Sequence, residues 1–437
     1  MRDKYIYPVI LAILSFFTHF SFLNFPNQVV FDETHYGKFV SNYLNHSYFF
    51  DIHPPFSKLL ATLSAYWGHF SSNFDFTSIG ETFTDPNFIY LRIIPAIAGF
   101  LLPLVIYFLA KQLNISTIGS FFTGAVVIFE NSLLVQSKFL LIDGILLFFG
   151  FSTILFYLLY RNKKNIRWLV LSAFFLGATI STKWTGISFL AICLLIETIS
   201  LIREKKLARL KNFAILLFIP ILFYIGTFAI HFSILTKSGE GNAFMSQNFK
   251  QKGFAEKFIE LNVVMLNESQ NLTTSHPYTS KWYTWPLMTR PIFYWEDPSM
   301  RAGENQRIYS IGNPLVYWLG LLAILTLFIH TIFRTKFFIR KRHAIMFILF
   351  GYCINFFPYM FLTRITFIYY YLASLVFTIL AMSSIIDSIE NKKIKNSCYI
   401  IFLSIFIITF LYFSPLTYGF SLSAQSQINH IWFSTWR

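Results

Sequence analysis

The sequence predicts an all-α polytopic membrane protein with about eleven transmembrane helices and interfacial helices on one face. Three observations predict it. Of 437 residues, 55% are hydrophobic and only 13% charged, whereas soluble domains carry about 25% charge. Apolar runs of about 20 residues, each long enough to cross a bilayer, recur along the whole chain. Lys and Arg gather in short connections that fall on one side of those runs, the loop bias of membrane proteins. The same bias accounts for the net charge of +15, so nucleic acid is not an expected partner. Cys193, Cys353 and Cys398 lie inside apolar runs without metal-ligand spacing. The first run, near 5–23, is longer than a signal-peptide core and lacks a small-residue cleavage site, so no cleavable signal is expected.

Hydropathy windows place spans near 5–24, 91–111, 115–132, 139–160, 167–181, 185–202, 212–235, 313–333, 344–362, 366–386 and 397–415. The basic connections are Arg2 with Lys4, Lys111, and the clusters within 161–167, 203–211, 334–342 and 392–395. They hold most of the 35 Lys and Arg, which makes their side cytoplasmic, with the N-terminus, and the C-terminus exterior. A cell (plasma or inner) membrane location follows. Residues 1–437 read as one transmembrane domain. Its long exterior loops are 24–90 and 235–312, and neither has room for a large soluble insertion. Within them, 56–70 (with Trp67) and 254–266 have helical apolar spacing and read as interfacial helices. The aromatic stretch 276–286 fits either a membrane-interface belt or a platform for sugar rings.

The chemistry points to the exterior face. Phe31-Asp32-Glu33 puts two carboxylates just after the first span, and Asp51-Ile52-His53-Pro54-Pro55 follows in the same loop. Ionisable groups near a bilayer are costly and mark sites more often than accidents. A carboxylate can take a proton from an attacking hydroxyl, and cations can hold a phosphate leaving group. Arg92, Lys138, Lys183, Arg290 and Arg364 face the same side, each at a span end or in an exterior loop. Arg92, Lys138 and Lys183 also have a plain reading as snorkelling residues, and Arg364 as an interface anchor. Asp143 opens a span and needs a cationic partner, either Lys138 or one across the bundle. No phosphate loop or dinucleotide fingerprint is present, so a lipid-carried phosphosugar fits better than a nucleotide sugar.

In order along the chain, these motifs resemble the protein O-mannosyltransferases of the GT-C glycosyltransferase class. The resemblance is carried by Phe31-Asp32-Glu33, Asp51–Pro55, Leu91-Arg92, Gln136-Ser137-Lys138 with Leu141-Ile142-Asp143, and Thr182-Lys183-Trp184. It continues through His276-Pro277-Tyr278, Trp285-Pro286-Leu287-Met288, Arg290-Pro291 and Gly312-Asn313-Pro314. It ends at Arg364 with Thr366-Phe367-Ile368-Tyr369. The resemblance implies a GT-C fold and mannose transfer, with inversion, from a polyprenyl-phosphate donor to Ser or Thr hydroxyls of secreted or membrane proteins. It implies Asp32 as base and Glu33 as its support or a substrate ligand. Arg92, Lys138, Lys183, Arg290, Arg364 and Tyr369 would serve the donor phosphate and substrate. Asp51, His53, Pro54 and Trp285 would line the acceptor or donor pocket. Three positions depart from the family pattern: Lys138 for Arg, Tyr370 for His, and Ala373 for Pro.

No cofactor is required by this chemistry. A divalent cation is the one candidate, through Asp32, Glu33, Asp51 and His53, although the spacing is not diagnostic. Expected partners are the lipid-linked donor, the protein acceptor, membrane lipid and the translocation machinery. A GT-C enzyme moving another lipid-linked sugar to a lipid or glycan is the nearer alternative. A transporter is the more distant one, and the lack of internal repeats counts against it.

Overall fold

The computed structural model describes residues 3–271, 276–297, 304–333 and 342–437. Arg2, Arg334, Lys336, Arg340 and Lys341, which entered the charge-based topology, lie outside them.

The helices in chain order are α1 (Asp3–Phe20), α2 (Glu33–Leu44), α3 (Phe56–Trp67), α4 (Ile89–Gln112), α5 (Thr117–Ile128) and α6 (Asn131–Lys138). Next come α7 (Asp143–Lys163), α8 (Ile166–Thr182), α9 (Ile187–Glu204), α10 (Leu210–Ile234) and α11 (Phe254–Gln270). The last are α12 (Pro314–Phe333), α13 (Arg342–Phe356), α14 (Leu372–Asp387), α15 (Lys392–Tyr418) and α16 (Ala424–His430). Two small antiparallel ribbons accompany them: β1 (Ile292–Glu296) with β3 (Arg307–Ser310), and β2 (Glu304–Asn305) with β4 (Leu422–Ser423). Among the described residues, eight helices are long and apolar enough to span a membrane, and the bent pair α5–α6 makes a ninth. The apolar stretches Tyr5–Phe20 and Ile166–Thr182 are shorter. They fill the two remaining expected positions.

Lys164 and Lys205, both in the left-handed region, terminate α7 and α9. Prolines inside α4, α10 and α15 are tolerated because neighbouring helices cover the freed backbone. Helices form at both loop segments with helical apolar spacing. α3 buries Lys58, Ala61 and Ala65 and leaves Tyr66 and Trp67 out. α11 buries Leu261 and Met265, with Ile259, Val263 and Leu266 exposed.

One expectation is corrected. Gln136-Ser137-Lys138, which falls in the gap between the expected spans 115–132 and 139–160, is not a connecting turn but the end of buried helix α6, which meets α5 at 57°. Its polar residues lower the hydropathy, yet each is bonded internally. Glu130 accepts from the Leu133 N–H (2.7 Å), Ser132 Oγ (2.7 Å) and the Asn313 N–H (2.8 Å). Asn131 donates to Thr417, and Gln136 donates to Tyr294 Oη. The break is thereby stitched to the start of α12, which gives Gly312-Asn313-Pro314 a structural role. A Cβ at Gly312 would stand 2.2 Å from the Tyr317 ring and 2.8 Å from Glu130 Oε1, closer than atoms pack.

The long loops are tied to each other at the end of the bundle where α7 begins and α8 ends. The Phe31 N–H donates to the Tyr294 carbonyl (3.2 Å), and Trp295 Nε1 donates to Gln28 Oε1 (2.8 Å). The Lys237 N–H donates to the His46 carbonyl (2.8 Å).

Candidate active site

The two adjacent carboxylates part company at Phe31. That residue sits at φ +48°, a conformation non-glycine residues rarely adopt. Its ring stacks on Tyr294 at 4.0 Å with the planes 8° apart, which compensates the backbone strain. The turn sends Glu33 inward. Its Oε1 accepts from Arg92 Nε (2.8 Å) and the Leu140 N–H (3.0 Å); its Oε2 accepts from Arg92 Nη2 (2.7 Å) and the Val30 N–H (3.0 Å). Arg92, fully buried, spends its remaining N–H groups on the carbonyls of Leu23, Pro26 and Gln28. Five donors meet five acceptors, so Arg92 has none left for a phosphate. Its guanidinium lies between the rings of Phe83, Phe88 and Phe139.

Asp32 turns the other way. It occupies the N-cap of α2, where an Asp usually accepts from the first-turn N–H groups, yet it makes no capping bond. Among the described residues its carboxylate has no hydrogen bond or ion pair. Burial raises its pKa to about 7, against the pull of Lys183 and with the help of Asp143 and Asp51. Those three charged groups therefore lie around it.

Lys183, in extended backbone after α8, is the centre of the cationic side. Its Nζ donates to both Asp143 oxygens (2.9 and 3.2 Å) and sits over the rings of Tyr369 (5.0 Å) and Tyr370 (4.6 Å). The partner Asp143 needs is thus Lys183, not Lys138. Arg364 donates to Ser269 Oγ (2.7 Å), the Ser269 carbonyl (3.2 Å) and Tyr370 Oη (3.2 Å). Its Nε–H is uncommitted among the described residues. Tyr370, a departure from the family pattern, therefore links both cations.

Asp51 forms an ion pair with Lys58, a residue the sequence reading did not single out. Lys58 also donates to the carbonyls of His53 (2.8 Å) and Pro54 (3.0 Å), which fixes the 51–55 loop. Burial pushes the Asp51 carboxyl up, but the Lys58 ammonium, with a hydrogen bond from the His53 backbone, holds it below the usual range. Burial takes the His53 imidazole down to about 3, with Lys183, Lys58 and Arg364 adding to the effect and Asp51 opposing it. His53 is therefore neutral at physiological pH.

The remaining expected residues lie apart. Lys138 donates to the Ser21 carbonyl (2.7 Å) over the Tyr418 ring (4.7 Å). Arg290 donates to the carbonyls of Pro277 and Thr435 and lies over Tyr278. Trp285 is buried, bonded to Ser280 Oγ (3.0 Å) and packed on Tyr359 and Tyr370. Among the described residues, no three His, Cys, Asp or Glu side chains are placed to share a metal ion, since Glu33 is committed to Arg92.

A narrow cleft of about 20 Å³ is lined by Asp143, Tyr369 and Tyr370 together with Leu146, Phe189 and Leu372. Its lining mixes the polar groups of Asp143, Thr185, Asn355 and the tyrosines with apolar side chains. A cavity of about 570 Å³ lies elsewhere; Tyr278, Phe293, Arg307 and Gln427 line it, and none of the acids around Asp32 does. The arrangement around Asp32 can accept a proton from a hydroxyl at near-neutral pH while neighbouring cations hold an anion.

Residues 9–236 match the family described as dolichyl-phosphate-mannose-protein mannosyltransferase, and residues 254–436 match the C-terminal four-transmembrane region of protein-O-mannosyltransferase. The chain belongs to the protein mannosyltransferase family. It is 32% identical over 338 residues to dolichyl-phosphate-mannose–protein mannosyltransferase 4 of Schizosaccharomyces pombe, covering 72% of this chain and 43% of that one. Protein O-mannosyl-transferase 1 of Danio rerio is 34% identical over 261 residues, covering 55% of this chain and 36% of that one. The chain thus spans less than half the length of these mannosyltransferase relatives.

Its fold is similar to a chain of the Saccharomyces cerevisiae protein O-mannosyltransferase Pmt1–Pmt2 complex bound to the sugar donor. The TM-score is 0.91 at 19% identity, covering 100% of this chain and 93% of that one. ArnT of Cupriavidus metallidurans, bound to undecaprenyl phosphate, gives 0.55 at 12% identity, covering 92% and 70%. The family fold is therefore GT-C, as the motifs implied.

Proposed function

We propose that this mannosyltransferase-family chain moves mannose from a polyprenyl-phosphate donor to Ser or Thr hydroxyls of proteins, on the exterior face and with inversion. The carrying observation is Asp32: a carboxylate poised near neutrality, without a hydrogen bond or ion pair among the described residues, and close enough to Lys183 to feel its charge. Asp32 takes the proton of the acceptor hydroxyl as its oxygen attacks the sugar carbon. The carbon–oxygen bond to phosphate breaks, and the polyprenyl phosphate leaves with the bonding pair. Lys183 and Arg364 meet the growing charge on the phosphate, and Tyr369 and Tyr370 hold these cations in place. Glu33 and Arg92 are scaffold rather than substrate ligands in this reading. His53 and Pro54 shape the pocket wall through Lys58.

The test is transfer of labelled mannose from polyprenyl phosphate to a Ser/Thr peptide by the protein in nanodiscs. Activity is expected to rise with pH through about 7, as Asp32 loses its proton. Label arriving only from a different lipid-linked sugar would reject the donor assignment.

Lys183→Met and Arg364→Gln are each expected to cost about 2–4 kcal/mol in kcat/KM, as for lost oxyanion donors. Arg290→Gln is expected to stay within about threefold of wild type, a loss under 1 kcal/mol. Equal losses at all three positions would reject the phosphate assignment.

The sidedness has its own check. Cysteines introduced at Ser238 and Ser426 are expected to label from outside intact cells, and one at Lys164 is not. Labelling at Lys164 would invert the topology.

A further inference from the structure

The opposite end of α7–α10, where Asp143 and Lys183 are absent because α7 has ended and α8 has begun, carries a second built site. A cleft of about 350 Å³ opens between the end of α7, the start of α8 and the α9–α10 connection. Its floor is ordered by Glu197, a fully buried acid in the middle of an apolar helix. Glu197 accepts from Tyr157 Oη (2.8 Å), Arg209 Nη1 (2.9 Å) and Asn212 Nδ2 (3.1 Å), with Arg161 Nη1 at 3.7 Å. Arg209 also pairs with Glu204 (2.5 Å), and Arg161 donates to Ser200 Oγ (2.6 Å). Both guanidiniums are thus held in place and already have acid partners.

The rim is different. Lys164, Lys206 and Lys211 line the cleft, are exposed, and have no ion pair among the described residues. Glu204 also lines the cleft and feels the charge of Lys206, but it is paired with Arg209, so three ammonium groups without an ion pair around a concave floor leave an anion-binding arrangement. Beside them, the connection exposes apolar side chains: Leu207 is 77% exposed, Ile202 69% and Leu210 52%. A soluble anion has no use for that surface, whereas acyl chains do. Clustered cations serving only as a topology signal would need neither the cleft nor its ordered floor.

We propose that this cleft binds the phosphate of an anionic phospholipid in the leaflet opposite the candidate active site, with the acyl chains against Ile202, Leu207 and Leu210. The inference rests on the membrane reading of the fold and not on the transfer reaction. Its readout is lipid retention, so its failure would leave the mannosyl-transfer reading untouched.

The test is native mass spectrometry of the full chain released from nanodiscs of phosphatidylglycerol and phosphatidylcholine in equal parts. Wild type is expected to retain phosphatidylglycerol in preference to phosphatidylcholine. The variant K164A/K206A/K211A is expected to lose that preference, each lysine accounting for about a fivefold change and the three for about a hundredfold. Because the three side chains are exposed and unpaired, the variant should unfold at the wild-type temperature. The variant K164R/K206R/K211R, which keeps the charge, should retain the lipid. Equal retention of the two lipids by wild type, or undiminished phosphatidylglycerol on the alanine variant, would overturn the proposal. Displacement of the lipid by millimolar inorganic phosphate would also overturn it, by assigning the cleft to a soluble anion.

Discussion

Glu33→Ala and Arg92→Met should each lower stability by about 3–5 kcal/mol, the loss expected when one partner of a buried, fully bonded ion pair is removed. The Arg92 side chain satisfies five donors on Glu33 and three loop carbonyls. Truncating it leaves a buried carboxylate and those carbonyls without partners. Removing Glu33 leaves a buried guanidinium and frees the Val30 and Leu140 N–H groups. Because Leu140 lies between α6 and α7, the same loss unpins the first loop from the bundle and displaces Asp32. The measurement is thermal unfolding in detergent, with folded yield as a second readout. The double variant E33Q/R92M should lose less than the two single losses together, since the buried charges then disappear as a pair. A Glu33→Ala protein that unfolds like wild type, with only its KM raised, would return Glu33 to the role of a substrate ligand.

This pair also marks where the sequence was readable and where it was not. The helical positions were legible because apolar runs near bilayer length have few alternatives. So were the two loop helices α3 and α11, from spacing alone. The different fates of Asp32 and Glu33 were not, because they turn on one left-handed residue, Phe31, which nothing in the local pattern announces. Arg92 opens a span, as a snorkelling or phosphate-binding arginine would. Its burial is set by carbonyls of the first loop, which come near only in three dimensions. The pairing of Asp143 with Lys183 crosses forty residues and is a product of helix packing. Lys58 did leave a signal: a lone cation on the buried face of an apolar helix needs an anion, and Asp51 is seven residues earlier in the chain. The α5–α6 bend was hidden because Gln136, Ser137 and Lys138 look like a solvated turn, and only their internal partners reveal a buried helix.

Asp32→Asn should reduce transfer by about 10²–10⁴-fold, the usual contribution of a general base, and should also make the protein more stable at alkaline pH. Both effects come from one property. The folded protein holds this carboxyl half-buried, uncapped and near two other acids, which raises its pKa from 3.8 to about 7. For an acid raised in this way, the native state binds more protons than the unfolded chain between those values. Stability therefore falls as pH rises from about 4 to about 7, and the deficit is constant above that. Asparagine carries no charge and escapes it. The variant's unfolding temperature should exceed wild type's at pH 8 and match it near pH 4. Donor binding should be largely intact, because Lys183 and Arg364 keep their partners on Asp143, Ser269 and Tyr370. Asp32→Glu should also be strongly impaired, since one methylene moves the oxygen along a turn fixed by the Phe31–Tyr294 stack. Single-turnover transfer, donor binding and unfolding measured on the same samples separate these effects. An Asp32→Asn enzyme within about threefold of wild type, well below the range for a lost base, would move the base to another carboxylate of the cluster. Asp51 is the alternative, because Glu33 has no lone pair free of Arg92 and the backbone.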